Sequence, residues 1–351
     1  CYMSTGEGSL SPYHVEGDAD ILYQIGPAKF GCRTPDGRFD DDKAAEILAL
    51  PQVKMVEIKL AQGAKPGKGG MLPKEKITRE IATIRGIPMG VDCQSPNRFE
   101  EFDDAPSLLD FIERVRRLTG KPVGLKMVVG AAAEVDQLCR EIRRRGDGPD
   151  FIAVDGNEGG SGAAPLALAD YVGLPLVDAL IAVDNALRRE GLRHDVALIA
   201  AGKIATGGDV ATHLALGADL VHIGRGFLFS IGCIQALRCH TNTCPTGVTT
   251  QNQWLQSGLD PADKGVRVRN YALALERDLQ MITHACGLTH PSQLHRGHVV
   301  MNISPGVRKS LADVFPYPAN QYEPARTTLR SVRDTSLARD RALQIETLVS
   351  K

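Results

Sequence analysis

Three cysteines lie within twelve residues of one another, and their spacing is the strongest chemical signal in the sequence. Cys233, Cys239 and Cys244 form the pattern C-x5-C-x4-C, and a proline follows the last of them. Thiolates are soft ligands that suit iron–sulfur clusters, zinc and copper(I). A structural zinc site usually has four ligands and a C-x2-C pair, so three cysteines favour a cluster. Zinc with His240 as fourth ligand, or three unrelated buried thiols, are the alternatives.

Glycines follow two successive predicted strands shortly before these cysteines. Gly202, Gly207 and Gly208 come after the first strand, and Gly224 and Arg225 come after the second. Backbone N–H groups can approach an anion closely at glycine, and a helix N-terminus attracts negative charge. We therefore expect a bound phosphate here, belonging either to a substrate or to FMN, with Arg225 adding a bidentate contact. The alternative is that these glycines only form tight turns.

A third glycine-rich segment follows an earlier predicted strand. It reads DGNEGGSG (155–162) and contains Asp155, Gly159 and Gly160. An acid beside glycines at the end of a strand predicts one wall of a binding site. A flexible connection is the alternative.

Cations cluster around the same predicted strand ends. The segment KLAQGAKPGKGG (59–70) leaves a strand with Gln62, Lys65 and two further lysines, and Lys126 interrupts an otherwise apolar strand. A buried ammonium is costly unless it is paired or functional. Such cations are typical of a site for a dianionic substrate or for a reduced, anionic flavin. The alternatives are a solvated loop for Lys65 and a structural ion pair for Lys126.

The composition is that of an ordinary globular protein. The 351 residues are 43% hydrophobic and 24% charged, with a formal net charge of −1. This charge gives no electrostatic reason to expect nucleic acid or a membrane surface as partner, and no stretch approaches the ~20 apolar residues of a membrane helix. Eight cysteines in a chain of this length do not indicate a disulfide scaffold. We expect a cytoplasmic enzyme, and we interpret the start at Cys1 as that of a processed or truncated chain.

Short apolar strands alternate with amphipathic helices along most of the chain. Strands are predicted at 56–61, 122–129, 151–155, 196–201 and 220–224, and helices at 74–85, 107–118, 132–145, 176–189 and 209–216. This alternation predicts a parallel sheet covered on both faces. Polar and glycine-rich residues follow strand after strand, which favours a barrel with one shared mouth over a doubly wound sheet with one switch point.

The two ends of the chain show different patterns. Residues 1–50 are rich in glycine, proline and aspartate and have few regular patterns, whereas 262–351 resembles a helical tail with its main helix at 266–286. We therefore predict a barrel domain at 1–260 and a helical C-terminal extension at 261–351.

Three segments together resemble the synthase domain of the glutamate synthases, in particular the shorter relatives without an amidotransferase domain. They are KLAQGAKPGKGG (59–70), DGNEGGSGAAP (155–165) and GRGFLFSIGCIQALRCHTNTCPTGVTTQ (224–251). The resemblance implies an α/β fold, a (β/α)8 TIM-type barrel that binds FMN and a [3Fe-4S] cluster. It also implies reductive amination of 2-oxoglutarate, through 2-iminoglutarate, to L-glutamate. The implied partners are an electron-donor protein or NAD(P)H-oxidising subunit, and a glutamine amidotransferase subunit as a source of ammonia.

The resemblance also implies roles for individual residues. Glu7, in the TGEG turn, matches the family's active-site glutamate, and Lys65 is the second catalytic candidate. Gln62 and Lys65 match residues that line the flavin and substrate pocket. Arg85 matches an arginine that holds a carboxylate of 2-oxoglutarate, as a guanidinium can do bidentately.

Cofactor ligands follow from the same likeness together with the glycine pattern. Cys233, Cys239 and Cys244 would ligate the cluster. The residues predicted to bind FMN are Gln62, Lys126, Asp155, Gly159, Gly160, Gly202, Gly207, Gly208, Gly224 and Arg225.

The sequence departs from the family at two points. The strand and Ser-rich turn with which the family begins this domain would lie upstream of Cys1, so the barrel is predicted to lack its first strand and to be open at one seam. Where long synthases have a glutamine after the Gly-Gly of the lysine segment, this sequence has Met71. The alternative functions are an FMN-dependent oxidase or dehydrogenase of a small 2-hydroxy or amino acid, a non-catalytic electron-transfer module that needs a partner chain, and a zinc-stabilised barrel.

Overall fold

The architecture is a curled sheet of seven parallel strands. A computed structural model describes residues 1–160 and 162–318. In spatial order the sheet runs β1-β2-β3-β6-β7-β8-β9, and its strands are β1 (Tyr2–Ser4), β2 (Asp20–Ile25), β3 (Val53–Lys59), β6 (Val123–Met127), β7 (Phe151–Asp155), β8 (Ala197–Ala201) and β9 (Leu220–His222). The rings of Tyr2 and His222, on the two outermost strands, approach edge to face at 5.7 Å. The curled parallel sheet with one seam confirms the predicted barrel-type α/β fold.

Two apolar cores lie on opposite faces of this sheet. A small cluster contains only strand residues and therefore fills the inside of the curl; its buried members are Leu22, Met55, Phe151, Ala153 and Ile199. A much larger core lies between the outer face and the helices. Strands that are apolar on both faces produce the continuous hydrophobic runs of the sequence.

Helices cover the outer face and connect successive strands. In chain order, the first eight are α1 (Asp41–Leu48), α2 (Arg79–Arg85), α3 (Ala105–Thr119), α4 (Ala132–Arg145), α5 (Leu166–Tyr171), α6 (Leu176–Arg189), α7 (Gly207–Leu216) and α8 (Arg225–Ser230). Side chains fix several of their starts: Asp104 caps α3 and Thr206 caps α7. Such caps satisfy backbone N–H groups that have no partner within the helix.

The structure differs from the predicted elements mainly at the two ends of the chain. The first 50 residues contain β1, β2 and α1. The sequence did not predict them, because they are short and lie among many glycine and aspartate residues. The helix predicted at 74–85 is a 3-10 turn (Lys74–Lys76) followed by α2, because Thr78 caps a new helix at Arg79. A short hairpin, β4 (Met71–Leu72) with β5 (Cys93–Gln94), follows the lysine segment.

The C-terminal region is only partly the helical tail that was predicted. After α9 (Gln253–Gln256), the long helix α10 (Pro261–Ala285) packs against α7 and α8. An antiparallel hairpin of β10 (Val300–Ser304) and β11 (Val307–Ser310) and the short α11 (Leu311–Val314) come next. The rest of the predicted tail, 319–351, lies outside the described residues. None of the described helices has the length and apolar character that crossing a membrane requires.

Candidate functional site

The predicted site residues gather where the parallel strands end. Glu7 follows β1, Gln62 follows β3, Asp155 ends β7, Gly202 follows β8 and Gly224 follows β9. Because all seven strands run in the same direction, these positions share one side of the sheet, which we call the mouth. Active sites of (β/α) barrels are built on this side.

Glu7 lies in a cleft of the mouth and forms an ion pair there. Its Oε2 is 3.2 Å from Nζ of Lys59, whose side chain is 11% exposed. Burial raises the pKa of the Glu7 carboxyl, but Lys59, Lys65 and Arg85 together outweigh it and hold the pKa below its ordinary value. Glu7 is therefore an ionised carboxylate at neutral pH. Lys59 was not singled out from the sequence, although a lysine at the end of an apolar strand was a usable signal.

Lys65 and Ser95 complete the cleft around Gly70. A Cβ placed on Gly70 would lie 3.5 Å from Glu7 Oε1, 3.7 Å from Lys65 Nζ and 3.7 Å from Ser95 Oγ. Burial lowers the pKa of Lys65, with a partial offset from the negative charge of Glu7. Ser95 follows β5 and lies in a segment without a recognisable motif, so sequence reasoning missed it. The hairpin of β4 and β5 is what brings it to the cleft.

Arg85 approaches the same cleft from the end of α2. Its Nη2 is 3.1 Å from the position of a Cβ on Gly8, next to Glu7, and its guanidinium lies 5.0 Å from the centre of the Phe30 ring. In the described part of the chain, Arg85, Lys65 and Lys68 form no direct ion pair. The mouth thus holds cations whose charges are left for another partner.

Lys126 and Asp155 form a buried pair deeper in the barrel. Nζ of Lys126 is 3.3 Å from Asp155 Oδ2, and the two side chains are 15% and 5% exposed. Burial alone would lower the pKa of Lys126, but Asp155 and Glu57 raise it above its ordinary value. The same Asp155 oxygen accepts a hydrogen bond from the Gly63 N–H at 2.9 Å. The predicted cofactor residues Lys126 and Asp155 therefore neutralise each other's charge in this structure.

The glycines after β7 pack against the lysine segment. Ala64 N–H donates to the Gly159 carbonyl at 3.1 Å, and a Cβ on Gly160 would come within 2.1 Å of the Ala64 Cβ. Arg225 Nη2 donates to the Gly160 carbonyl. In this fold Gly159 and Gly160 allow two segments to approach each other; their predicted contact with FMN stays a prediction.

The two halves of the predicted phosphate site differ in how open they are. Thr206 and Asp209 cap the start of α7 reciprocally, and a Cβ on Gly207 would lie 2.6 Å from the Asp278 Cβ of α10. In contrast, α8 begins without a side-chain cap at Gly224, where a Cβ would meet no atom within 4 Å. The open half, with Arg225 beside it, has the free N–H groups and the charge that fit an FMN phosphate.

The predicted cluster ligands lie in the irregular segment after α8. Hydrogen bonds from Thr246 and Thr249 outweigh the effect of burial and lower the pKa of Cys244 to about 6, which favours the thiolate that metals bind. Among the residues that the structure describes, no three His, Cys, Asp or Glu side chains converge as a metal site. Cys233, Cys239 and Cys244 thus share a segment without surrounding one point, and the cluster stays a prediction.

A polar layer below the mouth was not predicted. Glu57 is fully buried on β3, accepts a hydrogen bond from Gln24 and lies 4.0 Å from Nδ1 of His222. The Tyr2 hydroxyl, Glu57 Oε2 and His222 Nε2 are buried without a hydrogen-bond partner among the described residues. The sequence signal that could have indicated it is Glu57, a charged residue between apolar residues in the strand sequence VEIK. Only the curl of the sheet brings β1, β3 and β9 together.

Comparison with known proteins identifies related chains over most of the sequence. A family model described as a conserved region in glutamate synthase matches residues 1–289. A glutamate synthase large subunit-like protein of Bacillus subtilis is 46% identical over 299 residues, which are 85% of this chain and 57% of that protein. An archaeal-type glutamate synthase (NADPH) of Thermotoga maritima is 34% identical, with 86% of this chain and 56% of that protein covered. The chain thus spans little more than half the length of these relatives.

Solved structures give a more distant likeness. A flavocytochrome b2 variant with sulfite bound has a TM-score of 0.47 and 18% identity, covering 83% of this chain and 58% of the other. A second variant of that protein has a TM-score of 0.46 and 17% identity, covering 84% and 58%. These likenesses carry no argument about function.

Proposed function

This chain belongs to the glutamate synthase family, and from that premise we propose that it carries out FMN-dependent reductive amination of 2-oxoglutarate to L-glutamate. The reaction converts a 2-oxo acid, ammonia, two electrons and two protons into an amino acid and water. One observation supports it above the others: the carboxylate of Glu7 lies among Lys65, Lys68 and Arg85, three cations without a direct ion pair in the described residues.

The charges of the cleft fit a substrate with two carboxylates. Arg85 can hold one carboxylate bidentately, and Lys65 can neutralise the other as a point charge. Both cations are half-buried, so their interaction with an anion is screened less than at an open surface. A substrate with one carboxylate would leave one of these cations unpaired.

Glu7 is placed to move protons during the addition of ammonia. As a carboxylate, it can accept a proton from the nitrogen that attacks the keto carbon. It can then give that proton to the former keto oxygen. A second transfer of the same kind turns this oxygen into water and leaves the imine, so the two protons that the nitrogen loses are the two that the oxygen gains. The ion pair with Lys59 fixes the position of the carboxylate while it does so.

FMN, when bound, supplies the hydride that reduces the imine carbon. We propose that the uncapped start of α8 and Arg225 would hold its phosphate, and that Lys126 would supply a fixed positive charge to its ring. Gln62 completes the proposed contacts from the cleft. A [3Fe-4S] cluster on Cys233, Cys239 and Cys244 is part of the proposal, supported by the spacing of the three cysteines and the lowered pKa of Cys244. Electrons from an NADPH-oxidising partner are also part of it, supported by the NADPH in the name of the Thermotoga relative.

The proposal is tested by a reaction with a chemical reductant in place of the partner. The full-length protein is purified without oxygen, its FMN and iron are quantified, and it is reduced with dithionite. We expect glutamate to form from 2-oxoglutarate and ammonium. Pyruvate should give at least tenfold less amino acid, since it cannot use the second cation. Equal rates with both acids, or no amino acid from an FMN-loaded protein, would contradict the proposal.

A pair of lysine variants tests whether a change in KM comes from the cleft itself or from the loss of any positive charge. Lys65→Met should raise the KM for 2-oxoglutarate, because it removes a cation from the cleft. Lys54→Met removes a lysine near the start of β3, away from the mouth, which is 38% exposed and pairs with Asp20 at the start of β2. We expect the second variant to behave as wild type, and similar KM values for the two variants would count against the assignment.

A further inference from the structure

One carboxylate oxygen of Asp155, at the end of β7, contacts both the buried Lys126 and the lysine segment that lines the cleft. Asp155 Oδ2 accepts the Gly63 N–H at 2.9 Å and lies 3.3 Å from the ammonium of Lys126. The Asp155 side chain is 5% exposed, so water can hardly replace either contact. Gly63 lies directly after Gln62, which we place against FMN, and two residues before Lys65, which we place against the substrate.

The contact at Gly63 depends on close approach of two backbones. A Cβ on Gly63 would lie 1.9 Å from the Gly156 carbonyl oxygen, so a larger residue cannot occupy this position without a shift of the backbone. The next residue, Ala64, donates its N–H to the Gly159 carbonyl at 3.1 Å. The lysine segment is therefore seated on the residues that follow β7, with the charged Asp155 at the centre of the contact.

We propose that Asp155 is a positioning residue, which fixes Gln62 and Lys65 in the cleft by sharing Oδ2 between the Gly63 N–H and the Lys126 ammonium. This inference rests on the proposed function only for the role of Lys65 toward substrate. It gives Asp155 a role other than the contact with FMN that the sequence predicted. A misplacement of about 1 Å at reacting groups can cost on the order of a hundredfold in rate, so this anchor has a measurable consequence.

The charges around the anchor support the same assignment. Lys126 interacts with Asp155 most strongly, then with Glu57 on β3 and with Glu7 at the mouth, and His222 faces the group from β9. Lys126 is thereby held as a cation against the effect of burial. The Lys126 ammonium and the Gly63 N–H thus meet at one carboxylate oxygen of Asp155, and a carboxylate accepts a stronger hydrogen bond than a neutral oxygen does.

The same strand provides a matched control at its other end. Asp150, directly before β7, accepts the Val123 N–H at 2.8 Å and pairs with Arg116 at 3.3 Å. It therefore resembles Asp155 in accepting a backbone N–H and pairing with a cation, on the side away from the mouth. Asp155→Ala, Asp155→Asn, Asp150→Ala and Asp150→Asn form the variant set, each in the full-length protein.

Two readouts are measured for every variant. Hydrogen exchange of the segment 60–70, followed by mass spectrometry, reports whether Gly63 and its neighbours are anchored, and needs no substrate. Steady-state kinetics report the KM for 2-oxoglutarate and kcat separately. For Asp155→Ala we expect exchange at least tenfold faster and a KM increase of roughly tenfold to a hundredfold. Asp155→Asn keeps an acceptor for Gly63 and should restore part of the protection.

The Asp150 variants should lose thermal stability while keeping the wild-type exchange of this segment and the wild-type KM. Equal exchange and equal KM in the Asp155→Ala and Asp150→Ala variants would overturn the proposal. If wild type makes no glutamate, the proposed function fails, but the exchange data still decide whether Asp155 anchors the segment. If Asp155→Ala does not fold, the comparison of Asp155→Asn with Asp150→Asn decides it: faster exchange only in the former supports the anchor, and equal exchange overturns it.

Discussion

The two ends of the parallel strands use charge in opposite ways. At the end where strands begin, Arg116 pairs with Asp150, Asp147 and Glu113. At the end where strands finish, the half-buried Lys65 and Arg85 form no direct ion pair in the described residues. Charged residues are thus paired with one another where the strands begin, which we call the closed end, whereas two cations at the mouth have no direct ion pair in the described residues.

A second ion-pair network extends the closed end to the C-terminal region. Asp184 of α6 is fully buried and binds Arg188, Arg193 and Arg296, each at 2.8 Å. Arg296 also donates to the Phe315 carbonyl at 2.8 Å, which ties the C-terminal region to the barrel helices. The arginines at the closed end therefore have carboxylate partners within the protein, whereas Lys65 and Arg85 at the mouth have no direct ion pair in the described residues. Substitutions at the two ends should therefore affect different measurements.

The largest expected effect is at the mouth. Glu7→Gln removes the proposed proton acceptor but keeps the size of the side chain, and turnover should fall by about 10²–10⁴-fold. FMN content should stay close to wild type, while thermal stability falls modestly because the ion pair with Lys59 is lost. Initial rates of glutamate formation, with FMN absorbance as a measure of loading, check this prediction.

Glu16→Gln is the control, since this exposed glutamate lies outside the cleft. If both variants retained activity, Glu7 would have no catalytic role, and the contrast between the two ends would lose its main support.

At the closed end, Asp184→Asn should mainly change stability. It leaves three guanidinium groups without their shared carboxylate, and breaking a buried pair by removing one partner costs about 3–5 kcal/mol of unfolding free energy. Urea unfolding measures the loss, and the KM of the remaining folded protein should be unchanged. Wild-type stability of this variant would show that the network does not hold the closed end together.

A pair of glycine variants sharpens the contrast between the two helix starts. Gly207→Ala places a methyl group against α10 and should cost about 1–3 kcal/mol. Gly224→Ala meets open space, so stability should change by less than about 0.5 kcal/mol, while FMN binding weakens through crowding of the N–H groups. Thermal unfolding and FMN titration measure the two effects. The reverse pattern would move the proposed phosphate contact from α8 to α7.

Arg85→Lys tests whether substrate binding at the mouth needs the planar guanidinium of arginine or only its positive charge. Lysine keeps the charge but loses the planar, bidentate geometry, so we expect the KM for 2-oxoglutarate to rise about tenfold with little change in kcat. Steady-state kinetics measure both constants. Arg79→Lys, at the other end of the same short helix, is the matched control, and an equal change in both variants would contradict a specific contact.

The smallest expected effect concerns pH. Lys65 is one of the cations that hold the pKa of Glu7 below its ordinary value, so Lys65→Met should raise that pKa. The acidic limb of the pH–rate profile, where activity is lost as pH falls through the Glu7 pKa, should then move to higher pH. The stability that ionised Glu7 contributes is likewise present above its unfolded-state pKa and lost as pH falls through the folded-state value. An unmoved limb would assign it to a different group.

Much of the barrel could be predicted because its strands are short apolar runs between helices of clear period. The helices 132–145 and 176–189 and the strand Phe151–Asp155 have the predicted bounds. The strands β1 and β2 were missed, since three and six residues within a Gly- and Asp-rich region give little periodic signal. The hairpin of β10 and β11 was missed because the helical pattern before it suggested continuation.

The proximity of several candidate residues could be expected from the sequence, but their contacts could not. The resemblance to the glutamate synthases singled out Glu7, Gln62, Lys65 and Arg85, which lie close together in the structure, and their roles stay predictions. Motif and spacing could not identify Ser95 or the polar layer of Glu57 and His222, because no local pattern relates residues on different strands.

The amino-acid sequence by itself determined the alternation of strands and helices, the placement of polar residues at strand ends and the resemblance to glutamate synthases. Only the tertiary structure decided which charges neutralise one another. It paired Lys126 with Asp155 and left Lys65 and Arg85 without a direct ion pair in the described residues. The physical reason is that electrostatic interaction depends on distance and burial, and these are set when distant segments pack together.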